Sequence, residues 1–412
     1  MERPGLKIVR LNGGLGRRGT TNDMTTAVVM NAIATADMIL GTIYTLISID
    51  DVEALGLSAA YDDDNNVLVY HRLKRLFVRN PSVTIHFMPL AQTVTMTQMA
   101  DKANDHLAKL LRDKAGEVVI AIICLNPVVG YVPTIVTGLD SDSISAIYKL
   151  QELATAEFEK DRYCEFFVEG RSFSGTASAA LNLRTLVDEC ADVSVVIMAD
   201  NDVSNLKTIY NKYAAVEDFT AIVSLSEVSQ NAGELIQDFN LTNVAQGFFL
   251  NAGLSSGNHI NTFNDASLDL LNEKGYVFAG ATPGIAGYHI VDTSTCAKIT
   301  SDYAYVENNR TIKKAIKLAR KAILPRVKSR IYVDSVSGKI KAENAKEIEM
   351  ITTESLRPML TAGDISGGID AFVDPNQNIL ATSRLDILLT FVPVSIGRQI
   401  TLKIGFKNPL KS

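Results

Sequence analysis

Metal-binding patterns are missing from this 412-residue sequence. Its five histidines are scattered, and neither an HExxH motif nor a cluster of cysteine and histidine occurs. His86 and His289 fall inside segments that have the pattern of strands. Because structural zinc requires a close set of such ligands, we expect no metal site.

Closely spaced cysteine pairs are also missing. The four cysteines lie far apart, form no CxxC motif, and each stands in or beside an apolar run: Cys124, Cys164, Cys190 and Cys296. This is typical of small buried side chains in a reducing compartment. We therefore expect four buried thiols.

Neither charge nor composition is extreme. The 40 Lys and Arg against 46 Asp and Glu give a net charge of -6, whereas a dedicated nucleic-acid-binding domain is normally strongly basic. With 47% hydrophobic and 21% charged residues, the chain is expected to fold. At about 150 residues per domain, its length indicates two or three domains.

No secretory signal is evident, because the first 23 residues are polar and glycine-rich without an apolar core. Residues 24–47 are apolar and long enough to cross a bilayer. Asp37 lies near the centre of this run, where a carboxylate costs about 2.5 to 3.5 kcal/mol, and Gly41 interrupts it. We expect two buried strands joined near Asp37, and no membrane insertion.

Apolar runs alternate with amphipathic stretches from residue 118 to about residue 224. Residues 118–125 predict a buried strand, and residues 140–159 a helix that Asp140 or Ser141 caps. The pattern continues with a strand at 164–168, a helix at 177–190, a strand at 193–198 and a helix at 203–215. This alternation predicts an α/β domain with a mostly parallel sheet covered on both faces.

Shorter signals flank this region. Ser48 and Asp51 form a capping box for a helix that Gly56 ends. A helix at 67–77 closed by Asn80 and Pro81, and a strand at 83–88, follow it. After a loop-rich stretch at 226–261 the pattern becomes α+β, with strands at 288–291, 330–333, 384–392 and 400–406 and helices at 311–324 and 345–360. We interpret this last part as a second domain.

The glycine-rich stretch from Gly14 to Gly19 matches GxGxxG without its usual context. No helix opens directly on the glycines, and Thr20 stands where a phosphate-binding lysine would be. We interpret the stretch as a flexible hinge and expect no cofactor.

Three further motifs depart from the pattern they resemble. The segment 170–174 has Ser174 in place of the second glycine of a nucleophile elbow. Asp62, Asp64 and Asn66 open like a calcium loop, but Val67 replaces the required glycine, so a solvated turn is expected. Asp200 ends a strand at the carboxyl edge of the sheet, where helix capping competes with a catalytic role.

The strongest local signal is basic. Nine basic residues and no acidic one lie between Arg310 and Arg330. At 100° per residue, the apolar residues of this helix form one stripe and its lysines and arginines cover the opposite face. Like charges four residues apart repel, so the face is suited to an acidic partner, although a merely solvated face is the alternative.

The order of these features resembles the contractile tail sheath proteins of bacteriophages and of related injection systems such as R-type pyocins. The resemblance is carried mainly by residues 275–278 (GYVF), 301–305 (SDYAY), 309–310, 333–340 and 373–378. Upstream, residues 49–56, Gln151 and residues 168–171 are similar as well. About two thirds of the chain is covered.

This resemblance implies a structural protein and not an enzyme. Such subunits polymerise as stacked hexameric rings around an inner tube and contract to drive the tube through a target envelope. It implies an inner domain from residues 1–30 and 288–412, with residues 31–287 inserted as an outer α/β domain. The implied partners are further copies of the chain, the tube, baseplate and tail terminator proteins. The implied location is a virion tail or injection particle assembled in the bacterial cytoplasm.

Two sets of contact residues follow. We expect the basic helix to face the tube through Lys313, Lys317, Arg320 and Lys321. We expect both termini to act as arms that add strands to neighbouring subunits, through Leu6, Ile8, Gly13, Gly14 and Gly16 at one end and Ile400, Leu402, Ile404 and Phe406 at the other. The alternative function is an α/β enzyme with its active site near Asp200.

Overall fold

The computed structural model describes residues 23–405, which form two compact units. The first extends to Lys313 apart from Ser229–Asn231; the second comprises Ser229–Asn231 and the chain from Lys314 onward. The strands are β1 (Thr26–Asn31), β2 (Tyr44–Leu46), β3 (Ile85–Leu90), β4 (Ile120–Cys124), β5 (Ile135–Val136), β6 (Leu139–Asp140), β7 (Glu165–Glu169), β8 (Val193–Val196), β9 (Met198–Asp200), β10 (Ala252–Leu254), β11 (Tyr276–Val277), β12 (Ala279–Ala281), β13 (Tyr288–Ile290), β14 (Ile365–Phe372) and β15 (Leu388–Pro393). The helices are α1 (Ile49–Ala54), α2 (Ala59–Asn65), α3 (Val69–Arg79), α4 (Met96–Ala100), α5 (Leu107–Asp113), α6 (Ser141–Phe158), α7 (Asn201–Ser204), α8 (Val216–Leu225), α9 (Asp265–Glu273), α10 (Val306–Ile323), α11 (Ala342–Ser355), α12 (Arg357–Ala362) and α13 (Ile379–Thr382).

The first unit is built on a seven-stranded sheet in the order β11, β8, β7, β4, β1, β3, β2. All neighbouring strands are parallel except β2, which runs antiparallel to β3. Every residue of β1, β3, β4 and β7 is buried. Because successive side chains of a strand point to opposite faces, both faces of these strands are covered. The predicted mostly parallel α/β sheet is confirmed.

Locally specified elements match the sequence. Asp140 accepts a hydrogen bond from the Asp142 amide and caps α6, and Ser48 and Asp51 form the predicted capping box of α1. Residues 24–47 form two strands joined by a loop, as predicted, but only β1 is fully buried, because β2 lies at the edge of the sheet and only its Leu46 is buried. Among the described residues, no helix combines the length and the apolar character needed to cross a bilayer.

Two predicted helices are wrong. The segment 177–190 contains only short 3-10 turns, because the Lys274 ammonium binds the carbonyl oxygens of Ala177, Ser178 and Ala180. The segment 203–215 holds only the end of α7 and one 3-10 turn, and the amides of Ala214 and Ala215 donate to the Glu169 carboxylate and the Met198 carbonyl oxygen instead of to carbonyls of a helix. The longer helix of this region is α8.

The second unit contains α11, α12, α13 and the antiparallel pair of β14 with β15. Ala315, Leu356, Met359 and Ile365 form one small buried cluster. A separate cluster is made by Ile340, Ala345, Ile348 and Val373. The predicted strand at 330–333 is reduced to a single bridge between Val333 and Ile340.

The predicted division of the chain at residues 30 and 287 differs from this arrangement. β1 lies between β3 and β4 inside the first unit, because its six apolar-leaning residues pair with both neighbours. β13 also belongs to the first unit. The chain leaves that unit between Lys313 and Lys314, inside α10.

Candidate functional site

The basic residues are carried largely by α10. Alanine, leucine, lysine and arginine favour a helix, and Pro325 shortly beyond Ile323 prevents its continuation. Lys313 is the last residue of the first unit and Lys314 the first residue of the second. The basic segment is therefore divided between the two units.

Lys313 is buried inside the first unit, with 8% of the residue exposed. Its ammonium lies 2.7 Å from Glu165 Oε1 and 2.5 Å from Asp192 Oδ1. It also donates a hydrogen bond to the Cys164 carbonyl oxygen at 2.8 Å. These contacts fasten α10 to the start of β7 and to the residue before β8.

Lys313, Glu165 and Asp192 shift one another's pKa. Burial alone would lower the Lys313 pKa, but Glu165 and Asp192 outweigh it and raise that pKa above its ordinary value. Burial raises the pKa of Glu165 to about 7, against the opposing effect of Lys313. Burial would also raise the Asp192 pKa, yet Lys313 and the Gln151 amide lower it overall. Lys313 thus serves as an internal counter-ion.

The prediction that Lys313 faces a tube is therefore corrected. Its ammonium is occupied by carboxylates from elements distant in sequence, which the helical period of α10 cannot show. Arg310 is likewise buried and donates to Ser226 Oγ at 2.8 Å. In the second unit, Lys314 lies 2.8 Å from Asp364 Oδ2.

The part of the basic segment from Lys317 onward is more exposed than Arg310 and Lys313. Lys317 is half-buried, whereas Arg320 and Lys321 are exposed. Arg326 forms an exposed ion pair with Glu347 at 2.6 Å. The predicted set of four contact lysines and arginines is thus divided: Lys313 is internal, and the other three stay candidates for a contact surface.

Sequence reasoning missed a larger buried charge cluster. Arg72, Arg75 and Arg79 lie at a spacing of three and four residues on α3. Arg72 donates to Glu169 at 2.8 Å and to Glu217 at 2.6 Å. Arg75 bonds to Asp218 at 3.0 Å and also to Asp200, and Arg79 bonds to Asp218. The spacing of the arginines on α3 was the signal in the sequence from which this cluster could have been predicted.

This arginine cluster explains why acidic residues lie buried at the carboxyl edge of the sheet. Asp200 is fully buried, accepts a hydrogen bond from the Phe249 amide at 2.9 Å, and caps α7 through the Asp202 amide. Helix capping by Asp200 is therefore confirmed. Its bonds to Arg75, Asp202 and Phe249 hold the carboxyl edge of the sheet together.

Two other motif residues are structural as well. Ser172 is buried with a positive φ of 58°, and Gly170 beside it is required because a Cβ there would lie 2.7 Å from Ile197 Cγ2. Asp62 is not in a solvated turn, which corrects that prediction. Its carboxylate accepts from the amides of Val69, Tyr70 and His71 at 2.8 to 3.0 Å and anchors the start of α3.

The predicted arms are only partly described. Leu6, Ile8, Gly13, Gly14, Gly16 and Phe406 lie outside the described residues. Ile400, Leu402 and Ile404 are 87%, 77% and 85% exposed and form no strand within their own chain as far as residue 405. β14 and β15 pair only with each other among the described residues, so each has an edge with no strand neighbour there.

Two family models account for almost the whole sequence. Residues 3–294 match the N-terminal domain of DUF2586, and residues 302–411 match the C-terminal domain of DUF2586. Among curated proteins, none matches the sequence.

Solved structures share the fold over the full chain. A chain of the six-fold symmetrised baseplate of the anti-feeding prophage is 14% identical with a TM-score of 0.61, covering 99% of this chain and 100% of the other. The sheath complex of the extracellular contractile injection system PVC, in its contracted state, is 11% identical with a TM-score of 0.59, covering 100% and 99%. The sheath tail protein Lin1278 of Listeria innocua is 10% identical with a TM-score of 0.54, covering 90% and 92%. The fold is therefore that of contractile sheath proteins.

Proposed function

This chain belongs to the DUF2586 family, and we propose that it is the sheath subunit of a contractile tail or contractile injection particle. The observation that carries the proposal is the agreement of the whole fold, over nearly the full length of both chains, with a sheath in its contracted state. The buried arginine cluster adds support, because it fills the sheet edge where an α/β enzyme would place its acids.

In this proposal the subunits assemble as hexameric rings that stack around an inner tube and contract to drive it through a target envelope. A chain of the same fold in a six-fold symmetrised baseplate supports this ring symmetry. The partners are further copies of the chain, the tube protein, and baseplate and tail terminator proteins. The particle is assembled in the bacterial cytoplasm.

We place the tube contact on Lys317, Arg320 and Lys321. The exposure of Arg320 and Lys321 suits them to an acidic partner, whereas Lys313 is excluded by its burial. One exposed ion pair contributes only about 0.2 to 1 kcal/mol. A ring repeats each contact six times and stacked rings multiply it, so weak pairs add up to a stable attachment.

We further propose that both termini pair with neighbouring subunits. Ile400, Leu402 and Ile404 alternate with polar residues, and their exposed apolar side chains suit a strand that is covered only after assembly. The open edges of β14 and β15 offer main-chain hydrogen bonds for such a strand. The link would survive rigid-body sliding of the subunits.

Negative-stain microscopy of the chain, expressed alone and together with its tube protein, tests this function. We expect hollow, ring-stacked tubes around the inner tube, and shorter and wider tubes after a contraction trigger such as dilute urea. Bare tube filaments beside dispersed monomers of the folded chain would contradict the proposal.

A further inference from the structure

Two of the four cysteines are brought together by the fold. Cys190 lies just before β8, and Cys296 lies in the segment between β13 and α10. They are direct partners in an isolated antiparallel bridge, in which the Cys190 amide donates to the Cys296 carbonyl oxygen at 3.1 Å. Both are free thiols with 1% or less of the residue exposed.

The backbone geometry of this bridge suits a disulfide. Residues directly opposite in an antiparallel pair have Cα atoms about 4.5 to 5.5 Å apart. A disulfide requires about 4.4 to 6.8 Å between the Cα atoms, so the separation typical of such a pair lies within the range for a disulfide. The side chains are also neighbours: burial raises the pKa of the Cys296 thiol, and the Cys190 thiol raises it further.

The surroundings hold Cys296 in place. The buried Arg184 guanidinium donates to the carbonyl oxygens of Ala297 and Ala304 at 3.2 and 2.8 Å, and to Ser294 Oγ at 2.8 Å. The Cys296 amide donates to the Val193 carbonyl oxygen at 2.8 Å. Because this segment is already fixed on both sides of Cys296, little further order is lost when a bond joins the two sulfurs.

We propose that Cys190 and Cys296 are a redox modification site that forms an intrachain disulfide in an oxidising environment. With oxidised glutathione as oxidant, one protein thiolate attacks the glutathione disulfide and releases one reduced glutathione. The second protein thiolate then displaces the other glutathione from the mixed disulfide. Two protein thiols are thus oxidised by two electrons, and one glutathione disulfide is reduced to two thiols.

This site distinguishes reducing from oxidising surroundings. In a reducing compartment the buried thiols stay free, and burial with its raised pKa keeps them unreactive in the folded state. Oxidation therefore proceeds during folding or during local opening of the segment. The new bond would close a long loop that includes α8, β10 and β13, which stabilises the first unit chiefly by restricting the unfolded chain.

The test is refolding of the full chain from denaturant in a glutathione redox buffer, followed by alkylation of free thiols, proteolysis and mass spectrometry. We expect the peptide linking Cys190 to Cys296 to dominate over all other pairings, with Cys124 and Cys164 alkylated. We also expect the oxidised protein to unfold several degrees above the reduced protein. Where refolding fails, native protein is incubated with oxidised glutathione at a urea concentration just below the unfolding transition, where the segment opens locally, and is then digested for the same readout.

Matched variants isolate the pair. Cys190→Ala and Cys296→Ala should each abolish the linked peptide and the oxidation-dependent rise in Tm. The Cys124→Ala, Cys164→Ala double variant should retain both. A mixture of pairings among the four cysteines, free thiols in folded protein after either treatment, or a Tm that oxidation does not raise would overturn the proposal.

Discussion

The guanidinium of Arg72 donates a hydrogen bond to Glu169 across 2.8 Å, and neither side chain is exposed to solvent. This pair joins α3 to the end of β7. Transfer of two charges out of water is costly, and their mutual attraction offsets the cost only while both partners are present. The carboxyl edge of the sheet is therefore sensitive to the loss of any single charge.

Replacing Arg72 by methionine should destabilise the protein strongly. The change leaves Glu169 and Glu217 buried without their main cation, and losses of about 3 to 5 kcal/mol are typical of such broken pairs. Urea unfolding followed by circular dichroism measures the change. Arg112→Met, at an exposed arginine, is the control and should shift the free energy of unfolding by at most about 0.5 kcal/mol. An Arg72→Met variant with the same free energy of unfolding as the wild type would show that the arginine cluster does not stabilise the fold.

Lys313→Met should behave like a core mutation. It leaves the buried Glu165 without its cation and removes the ion pair of the half-buried Asp192, and we expect a loss of about 3 kcal/mol in the free energy of unfolding. Lys321→Met, further along the same helix at an exposed position, should leave stability nearly unchanged. Unaltered stability of Lys313→Met with failed tube attachment would instead restore Lys313 to the contact surface.

Stability should fall as the pH rises through the range in which Asp62 ionises. Burial raises the pKa of Asp62 from 3.8 to about 7, so the folded state binds this proton more tightly than the unfolded chain does. Ionisation therefore destabilises the fold progressively between about pH 3.8 and pH 7, with the full cost present above the folded pKa. Urea unfolding of the wild type and of Asp62→Asn at pH 5 and pH 8 measures this effect. Between these two pH values, the free energy of unfolding should fall more for the wild type than for Asp62→Asn. Asp64→Asn, at an exposed neighbour, should keep the wild-type pH dependence.

Charge reversal of Lys317, Arg320 and Lys321 to glutamate should abolish attachment to the tube and leave the monomer folded. Co-sedimentation with tube filaments, together with circular dichroism of the free chain, measures both effects. The matched control reverses the exposed Lys102, Arg112 and Lys298, which changes the net charge equally. Attachment of wild type should also weaken at high salt, because exposed ion pairs are screened. Normal particles from the first variant would show that this face points elsewhere.

Loss of either terminal segment should give soluble protein that does not form tubes. Deletions of residues 1–18 and 401–412 test this by electron microscopy. A finer variant replaces Ile400, Leu402 and Ile404 by serine, which removes the apolar face and keeps the backbone. Its control places serine at the equally exposed Val187, Leu206 and Val244. Normal sheaths from both deletions would contradict strand exchange.

Local signals along the sequence predicted much of the fold. Capping by Ser48 and Asp140 depends on residues two or three positions away, so both helix starts could be predicted correctly. The helices predicted at 177–190 and 203–215 failed because Lys274 and Glu169, distant in sequence, take the backbone groups that a helix would use. Helical propensity contains no information about such partners.

The contacts of the candidate site also depend on residues that are distant in sequence. The period of α10 gives the side of the helix on which Lys313 lies, but Glu165 and Asp192 can be assigned to it only when the order of the strands is known. Cys190 and Cys296 became neighbours for a similar reason. The spacing of Arg72, Arg75 and Arg79 on α3 was visible in the sequence, and it marks a helix face that needs buried acids.

The position of β1 has a mechanical consequence. This strand is hydrogen-bonded on both sides, to β3 and to β4, over most of its length. Tension on the chain before Thr26 would pull β1 along its own axis, across the direction of those hydrogen bonds. The two ladders then share the load and must shear together, whereas a strand at the rim of the sheet could be peeled away one bond at a time. A tether attached at this end of the chain would therefore withstand high force before the sheet yields.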